Sequence, residues 1–102
     1  MPRPVAVLVT YRPKKGREAK LLTLVKRHWP AVRAAGLATS TPPKIWSATD
    51  KRNGRRYVIE QFEWKSAAAA DLAHRTPAVL AIWEPMEAVL DSMEIAVVRA
   101  VS

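Results

Sequence analysis

Few side chains in this 102-residue sequence could transfer protons in an apolar setting, and Glu60 is the first candidate. Glu60 alternates with Val58, Phe62 and Trp64 in a run of strand-forming residues, so one face of that strand places a carboxyl group among apolar neighbours. Acids in such surroundings are suited to proton transfer. An ion pair with Arg99, or with one of the basic residues of the predicted hairpin, is an equally good interpretation of the same residue.

The two histidines are the other candidates, because imidazole can act as a base near neutral pH. His28 lies in the apolar stripe of a predicted helix beside Trp29, and His74 follows Ala73 at the end of a short predicted helix. The simpler interpretation of His28 is a satisfied core histidine. For His74 it is a helix C-terminal cap or a hydrogen bond to the helix break at Thr76-Pro77. No second histidine or carboxylate cluster surrounds either residue and cysteine is absent, so no metal and no cofactor is predicted.

Large apolar side chains could form the wall of a pocket around these groups. The predicted lining consists of His28, Trp29, Phe62, Trp64, Trp83 and Met86. Aromatic walls of this kind suit a flat hydrophobic ligand, so a small aromatic molecule is the predicted partner. Ordinary packing in a core is the alternative interpretation of the same residues.

The elements that must position these residues begin with a strand and a helix. Residues 5–12 are rich in β-branched side chains and are stopped by Pro13, which predicts a strand. Apolar residues recur at helical spacing over 21–32, and Gly36 is a natural helix terminator. Because Pro30 cannot donate a backbone hydrogen bond, a kink or a frayed last turn is expected there.

The rest of the chain is predicted to form a hairpin, two helical pieces and a last strand. Asn53-Gly54 separates two strand-like runs and favours a tight turn. Ser66 and Thr76 are placed as helix N-caps, and Pro85 is expected to bend the continuation of the second helical piece. The predicted ranges are 44–49 and 55–64 for the hairpin strands, 67–75 and 77–84 for the helical pieces, and 93–101 for the last strand.

This order, β-α-β-β-α-β, predicts an α+β, ferredoxin-like protomer with one four-stranded antiparallel sheet and helices on one face. Residues 1–102 are expected to form a single domain. The first and last strands are apolar on both sides. Because an exposed apolar sheet face is unusual on a soluble monomer, a homodimer in which two sheets pack face to face is predicted.

Charge is divided unevenly along the chain. Residues 1–56 hold fourteen Lys or Arg and two acids, whereas residues 57–102 hold three basic residues and seven acids, which together give the net charge of +8. A basic half suggests nucleic acid, yet the run 55–62 lacks the glycines of RNA-recognition strands and contains Glu60. Nucleic-acid binding is therefore the weakest function considered. No apolar run suits a membrane span or a secretory signal, so a cytoplasmic location is expected.

The stretch Phe62 to Ser66, followed by an alanine-rich helix and by Ala73 to Pro77, resembles the antibiotic biosynthesis monooxygenase superfamily. The element order resembles that family over the whole chain, and the residues resemble it from Phe62 to Met86. The resemblance implies a ferredoxin-like protomer whose sheet packs on a partner's sheet as a dimeric α+β barrel. The family includes cofactor-free oxygenases, haem-degrading enzymes and isomerases.

The family's site residues transfer poorly to this sequence. Its polyketide oxygenases carry Asn, Tyr and Arg at places that here hold Glu60, Ala70 and Glu84, so only the strand-ending Trp64 matches. Its haem-degrading members carry Asn, Trp and His at places that fall near Ala6, Ala73 and Trp83. Neither known chemistry is therefore inherited residue by residue.

The leading hypothesis is a protein that binds, and as a cofactor-free monooxygenase oxidises, an aromatic or quinol-like metabolite. Glu60 or His74 would abstract a proton, and the aromatic wall would orient the resulting anion toward dioxygen. The alternative is a non-catalytic, dimeric ligand-binding or interaction protein whose pocket is filled by its own side chains.

Overall fold

The computed structural model describes residues 3–101 and contains four strands and three helices. The elements are β1 (Val5–Pro13), α1 (Glu18–Ala34), β2 (Lys44–Thr49), β3 (Arg56–Trp64), α2 (Ala67–Ala73), α3 (Pro77–Val89) and β4 (Leu90–Val97). The two predicted helical pieces are separate helices, so the order is β-α-β-β-α-α-β. None of the helices within this described range is long and apolar enough to cross a bilayer.

The strands form one antiparallel sheet in the order β2-β3-β1-β4. Alternate residues of β1 and β3 are buried and the residues between them are half-buried, because the helices cover one face of the sheet. Val9 pairs with Glu60 on the covered face. The predicted α+β, ferredoxin-like fold is therefore confirmed.

The helices cover the middle of the sheet but leave the β4 edge open. Three apolar residues of β4 lie on the same face as the core residues of β1 with which they pair: Met93 with Tyr11, Ile95 with Val9, and Val97 with Val7. Their exposed fractions are 47%, 62% and 75%, respectively. An apolar row is thus uncovered on the helix side of the sheet, in addition to the face that carries no helix.

Both internal prolines lie within continuous helices. The helix α1 runs through Pro30 to Ala34, and α3 runs through Pro85 to Val89. Each proline removes one backbone hydrogen bond, yet the turn that follows Pro85 places Met86 and Val89 in the core. The burial of these side chains offsets the lost bond, and the continuation expected beyond Pro85 belongs to the same helix as residues 77–84.

The helix caps follow the prediction in one case and depart from it in the other. The Ser66 hydroxyl accepts a hydrogen bond of 3.1 Å from the Ala69 amide, as predicted for an N-cap. Thr76 occupies the N-cap position of α3, but its hydroxyl donates back to the Leu72 carbonyl at 2.9 Å. Its side chain therefore stabilises the end of α2 rather than the start of α3.

The last strand begins and ends earlier than the predicted range 93–101. Leu90 already pairs with Pro13, across a register shift between Arg12 and Pro13. At the other end, the Val98 amide bonds to the Ala6 carbonyl at 3.0 Å, close to where β1 begins. The length of β1 therefore determines where β4 begins and ends. The apolar pattern of residues 93–101 carries no information about these limits.

Candidate functional site

Glu60 is the centre of a buried hydrogen-bond network. The Tyr11 hydroxyl donates to Glu60 Oε1 at 2.7 Å, and His28 Nδ1 lies 3.0 Å from Oε1 and 3.2 Å from Oε2. On the other side of the imidazole, the Trp83 indole Nε1 lies 2.8 Å from His28 Nε2. Glu60 is fully buried and His28 is nearly so. The alternative ion pair of Glu60 with Arg99 or with the hairpin residues is therefore wrong.

Four different elements deliver these side chains to one place. Tyr11 and Glu60 come from the neighbouring strands β1 and β3, on the face that the helices cover. His28 belongs to the buried stripe of α1, which faces the sheet, and Trp83 comes from α3. The network joins both central strands to two of the helices, so its geometry depends on the whole fold.

The chemistry of tryptophan fixes where the protons of the network lie. An indole N–H can only donate, so His28 Nε2 must accept and carries a lone pair. The imidazole is then neutral, its proton is on Nδ1, and this N–H donates to the Glu60 carboxylate. Glu60 accepts from His28 and from Tyr11. The donors therefore run from Trp83 through His28 to Glu60, with Tyr11 donating from the opposite side.

Tyr11 stays protonated in this environment. Burial raises the pKa of Tyr11 far above its usual value of 10.0, and the nearby Glu60 charge and the hydrogen bond to that carboxylate raise it further. A neutral phenol can donate its proton to the carboxylate, whereas a phenolate would repel it. Tyr11 therefore acts as a fixed hydrogen-bond donor.

The predicted lining residues surround the imidazole but pack against one another. The Phe62 ring meets the His28 ring edge-on with centroids 5.2 Å apart, and Trp64 packs on Phe62 at 4.9 Å. Phe62, Trp64 and Met86 are buried in the core, while Trp29 and Trp83 are half-buried at its margin. Trp29 Nε1 is buried and has no hydrogen-bond partner among residues 3–101.

Two surface cavities lie away from this cluster. One has a volume of about 70 Å³ and is lined by Pro13, Glu18, Leu22, Ser47, Arg56, Tyr57 and Val58. The other is a shallow groove lined by Pro4, Gly36, Leu37, Thr39, Lys65, Ser66, Ala68, Ala69 and Leu72. Neither is bordered by the predicted lining residues.

Among residues 3–101, no group of three or more His, Cys, Asp or Glu side chains is placed to hold a metal ion.

The structure separates the two predicted bases, Glu60 and His74. His74 is exposed at the C-cap of α2, where its amide bonds to the Asp71 carbonyl at 3.2 Å. Its ring packs on the Trp83 indole with centroids 5.0 Å apart. The interpretation of His74 as a helix cap matches this position, and His28 is the histidine that contacts Glu60.

Tyr11 is the member of the network that sequence reasoning missed. It shares the inner face of β1 with Val7 and Val9. A buried tyrosine among aliphatic residues usually has a partner for its hydroxyl, and a lone carboxyl group on another strand of the same sheet could supply one. That signal was present, but only the register of β1 against β3 identifies Glu60 as the partner.

The comparisons with known proteins show that this chain resembles solved structures in its fold only. No family model matches the chain. No curated protein matches it either. A solved structure of Rv0793 from Mycobacterium tuberculosis is similar over 97% of this chain and 96% of its own, with a TM-score of 0.71 and 19% identity.

Two further solved structures carry names that bear on function. SnoaB, a cofactor-independent oxygenase from Streptomyces nogalater, is similar over 96% of this chain and 95% of its own, with a TM-score of 0.66 and 13% identity. A structure named antibiotic biosynthesis monooxygenase is similar over 96% of this chain and 99% of its own, with a TM-score of 0.69 and 17% identity. The chain therefore has the fold of the antibiotic biosynthesis monooxygenase proteins, as its sequence resemblance implied.

Proposed function

We propose that the protein is a cofactor-independent monooxygenase that acts on a small aromatic or quinol-like metabolite. The observation that carries the proposal is the pairing of His28 with the buried Glu60 carboxylate, which leaves a lone pair on His28 Nε2. A carboxylate that orients one ring nitrogen of a histidine while the other accepts a proton is a general arrangement for base catalysis. By analogy of fold, the cofactor-independent oxygenase SnoaB points to the same reaction class, while the residues that would perform it are argued from the contacts of this chain.

In this mechanism His28, rather than Glu60 or His74, takes the proton. The hydroxyl group of a quinol, or of the enol form of an anthrone, donates to His28 Nε2 in the place that the Trp83 indole N–H now occupies. As the proton moves to Nε2, the imidazole becomes positively charged, and the Glu60 carboxylate at Nδ1 stabilises that charge. Tyr11 holds the carboxylate in position.

The deprotonated substrate is electron-rich and reacts with dioxygen at carbon. For an anthrone, the reacting CH₂ carbon loses two hydrogens and gains one oxygen as a carbonyl. The O–O bond breaks and the second oxygen leaves as water, with the proton held by His28 returned to it. The substrate supplies all the electrons needed to reduce dioxygen. The reaction therefore consumes only the substrate and dioxygen. Phe62 and Trp64 form the proposed wall behind the imidazole.

Oxygen uptake tests the proposal. Anthrone and a panel of hydroquinones are supplied with ¹⁸O₂, and consumption and product labelling are compared with and without the protein. We expect one labelled oxygen in the product and one in water. General base catalysis typically contributes about 100-fold or more, so His28→Gln and Glu60→Gln are each expected to lose at least that factor in turnover.

A His74→Ala variant separates the two histidines. Loss of turnover in His74→Ala together with retained turnover in His28→Gln would assign the proton transfer to the exposed histidine and overturn the mechanism. Ligand binding in the absence of any oxygen uptake across the panel would instead support the non-catalytic alternative.

We also propose that the protein's partner is a second copy of itself, joined through the sheet faces. The face of the sheet that carries no helix contains large apolar side chains, including Leu8, Trp46, Tyr57 and Ile59. It also holds the Arg12–Glu94 ion pair, at 3.1 Å. Burying such a face against its symmetric equivalent would remove apolar surface from water. Light scattering at micromolar concentration should give the dimer mass, and a monomer would contradict the proposal.

A further inference from the structure

We infer that the Trp83 indole is a gate over His28 Nε2, and that the ligand which opens it is a neutral, planar aromatic hydroxyl compound. This inference rests on the proposed function, because both require His28 Nε2 to accept a hydrogen bond from the ligand. It goes further by naming the side chain that excludes the ligand and the hydrogen-bonding character that the ligand must have.

A ligand at this site would form its hydrogen bond with His28 Nε2, which is a hydrogen-bond acceptor. It is engaged by the Trp83 indole N–H at 2.8 Å, while the opposite ring nitrogen is committed to Glu60. A buried imidazole acceptor needs a donor, because an unsatisfied buried polar atom is costly. Trp83 supplies that donor from within the chain. A ligand that enters this place must therefore bring a donor of its own.

Trp83 connects the surface to the buried network. His28 is only 2% exposed, whereas Trp83 is half-buried and also packs against the exposed His74. The indole therefore reaches from the surface inward to Nε2. Outward rotation of its side chain would open a path to the imidazole without any rearrangement of the sheet.

The shape of the indole defines the shape of its replacement. The indole is flat, bicyclic and apolar except for one N–H, and its ring lies at 6.0 Å from the His28 ring and 5.0 Å from the His74 ring, measured between centroids. A fused aromatic ring with one hydroxyl has the same outline and the same single donor. Such a ligand would keep both ring contacts and the hydrogen bond to Nε2.

Charge excludes the commoner anionic ligands. A carboxylate ligand has no proton to donate to an imidazole acceptor, and the Glu60 carboxylate directly behind that imidazole would repel both a carboxylate and a phosphate. The same repulsion applies to a phenolate. The site therefore selects the neutral hydroxyl form of an aromatic compound.

The test compares 1-naphthol with 1-methoxynaphthalene, which has the same ring system but no hydroxyl proton. Binding to the full chain is followed by calorimetry and by the Trp83 indole N–H resonance, which is assigned by its absence in Trp83→Phe. We expect 1-naphthol to shift that resonance and 1-methoxynaphthalene to leave it in place. Trp83→Phe keeps a ring but loses the competing donor, so it should bind 1-naphthol about fivefold more tightly than the natural chain.

Trp46→Phe is the matched control, because Trp46 lies on the opposite face of the sheet and should leave 1-naphthol affinity unchanged. The inference is overturned if the two naphthalenes bind equally, if neither binds, or if Trp83→Phe binds no more tightly than the natural chain. If Trp83→Phe does not fold, the comparison of the two ligands on the natural chain still tests whether binding requires the hydroxyl proton. Hydroxyl-dependent binding without oxygen uptake would retain the gate and reject the proposed monooxygenase.

Discussion

The Trp83 indole and the Glu60 carboxylate bind opposite nitrogens of the same buried imidazole, at 2.8 Å from His28 Nε2 and 3.0 Å from His28 Nδ1. Since one partner can only donate and the other is a carboxylate, the two together permit a single arrangement of protons. A histidine held in this way has one defined acceptor. That acceptor is the basis of both the proposed reaction and the proposed gate.

The protonation of His28 can be observed directly. We expect ¹⁵N NMR at pH 7 to show a protonated Nδ1 and an unprotonated Nε2 for His28, because Trp83 donates to Nε2. His28→Gln identifies the resonances by their loss. Protonation of both nitrogens, or of Nε2 alone, would contradict the assignment and with it the direction of the hydrogen bonds.

Removing the Tyr11 hydroxyl should destabilise the fold, since Tyr11→Phe deprives the buried Glu60 carboxylate of one of its two donors. A hydrogen bond to a charged buried group contributes about 1.5 to 3 kcal/mol, and the free energy of unfolding should fall by that amount. Urea denaturation measures the change. Tyr57→Phe, which removes the hydroxyl of the other tyrosine at a half-exposed position, should change the same quantity by less than about 0.5 kcal/mol.

The raised pKa of Tyr11 predicts a loss of stability at alkaline pH. The folded chain keeps Tyr11 protonated, whereas the unfolded chain releases that proton above the ordinary pKa of 10.0. The stabilisation from this group is complete below pH 10 and declines as pH rises above it, by about 1.4 kcal/mol per pH unit. Urea denaturation between pH 9 and 11.5 should show this additional slope in the natural chain and not in Tyr11→Phe. Equal slopes in the two proteins would contradict burial of a neutral Tyr11.

The two predicted caps should differ in their effect on stability. Ser66→Ala removes the side chain that accepts from the Ala69 amide, and should lower the free energy of unfolding by about 1 kcal/mol. Thr76→Ala removes an exposed hydrogen bond to the Leu72 carbonyl and no cap contact, so a smaller loss is expected. Thermal unfolding measures the stability of both variants. A larger loss of stability in Thr76→Ala than in Ser66→Ala would contradict the prediction.

The sequence predicts elements and faces better than it predicts their contacts. Alternation in β3 places Glu60 on an inner face, and the apolar stripe of α1 places His28 toward the core. Their meeting depends on how α1 lies across the sheet, which periodicity in either segment does not define. The pairing of Tyr11 with Glu60 likewise depends on the strand register.

Pro85 and the last strand show that tertiary contacts decide where a helix or strand ends. Pro85 is a helix breaker in isolation, but the buried side chains beyond it keep α3 helical to Val89. Apolar residues at 93–101 favour a strand, yet β4 exists only where β1 offers a partner. In both places, tertiary contacts override the local preference.

The open edge of β4 bears on how the protein behaves at high concentration. An edge strand presents unpaired backbone N–H and C=O groups, and here the row Met93, Ile95 and Val97 lies beside them. Such a strand can pair with a strand of another molecule. Glu94 and Asp91 lie on the same strand and pair with Arg12 at 3.1 Å and with Arg55 at 3.5 Å, so charged side chains that limit pairing between two edges flank the apolar row. High salt, which screens these charges, should therefore favour strand-by-strand aggregation over the native assembly.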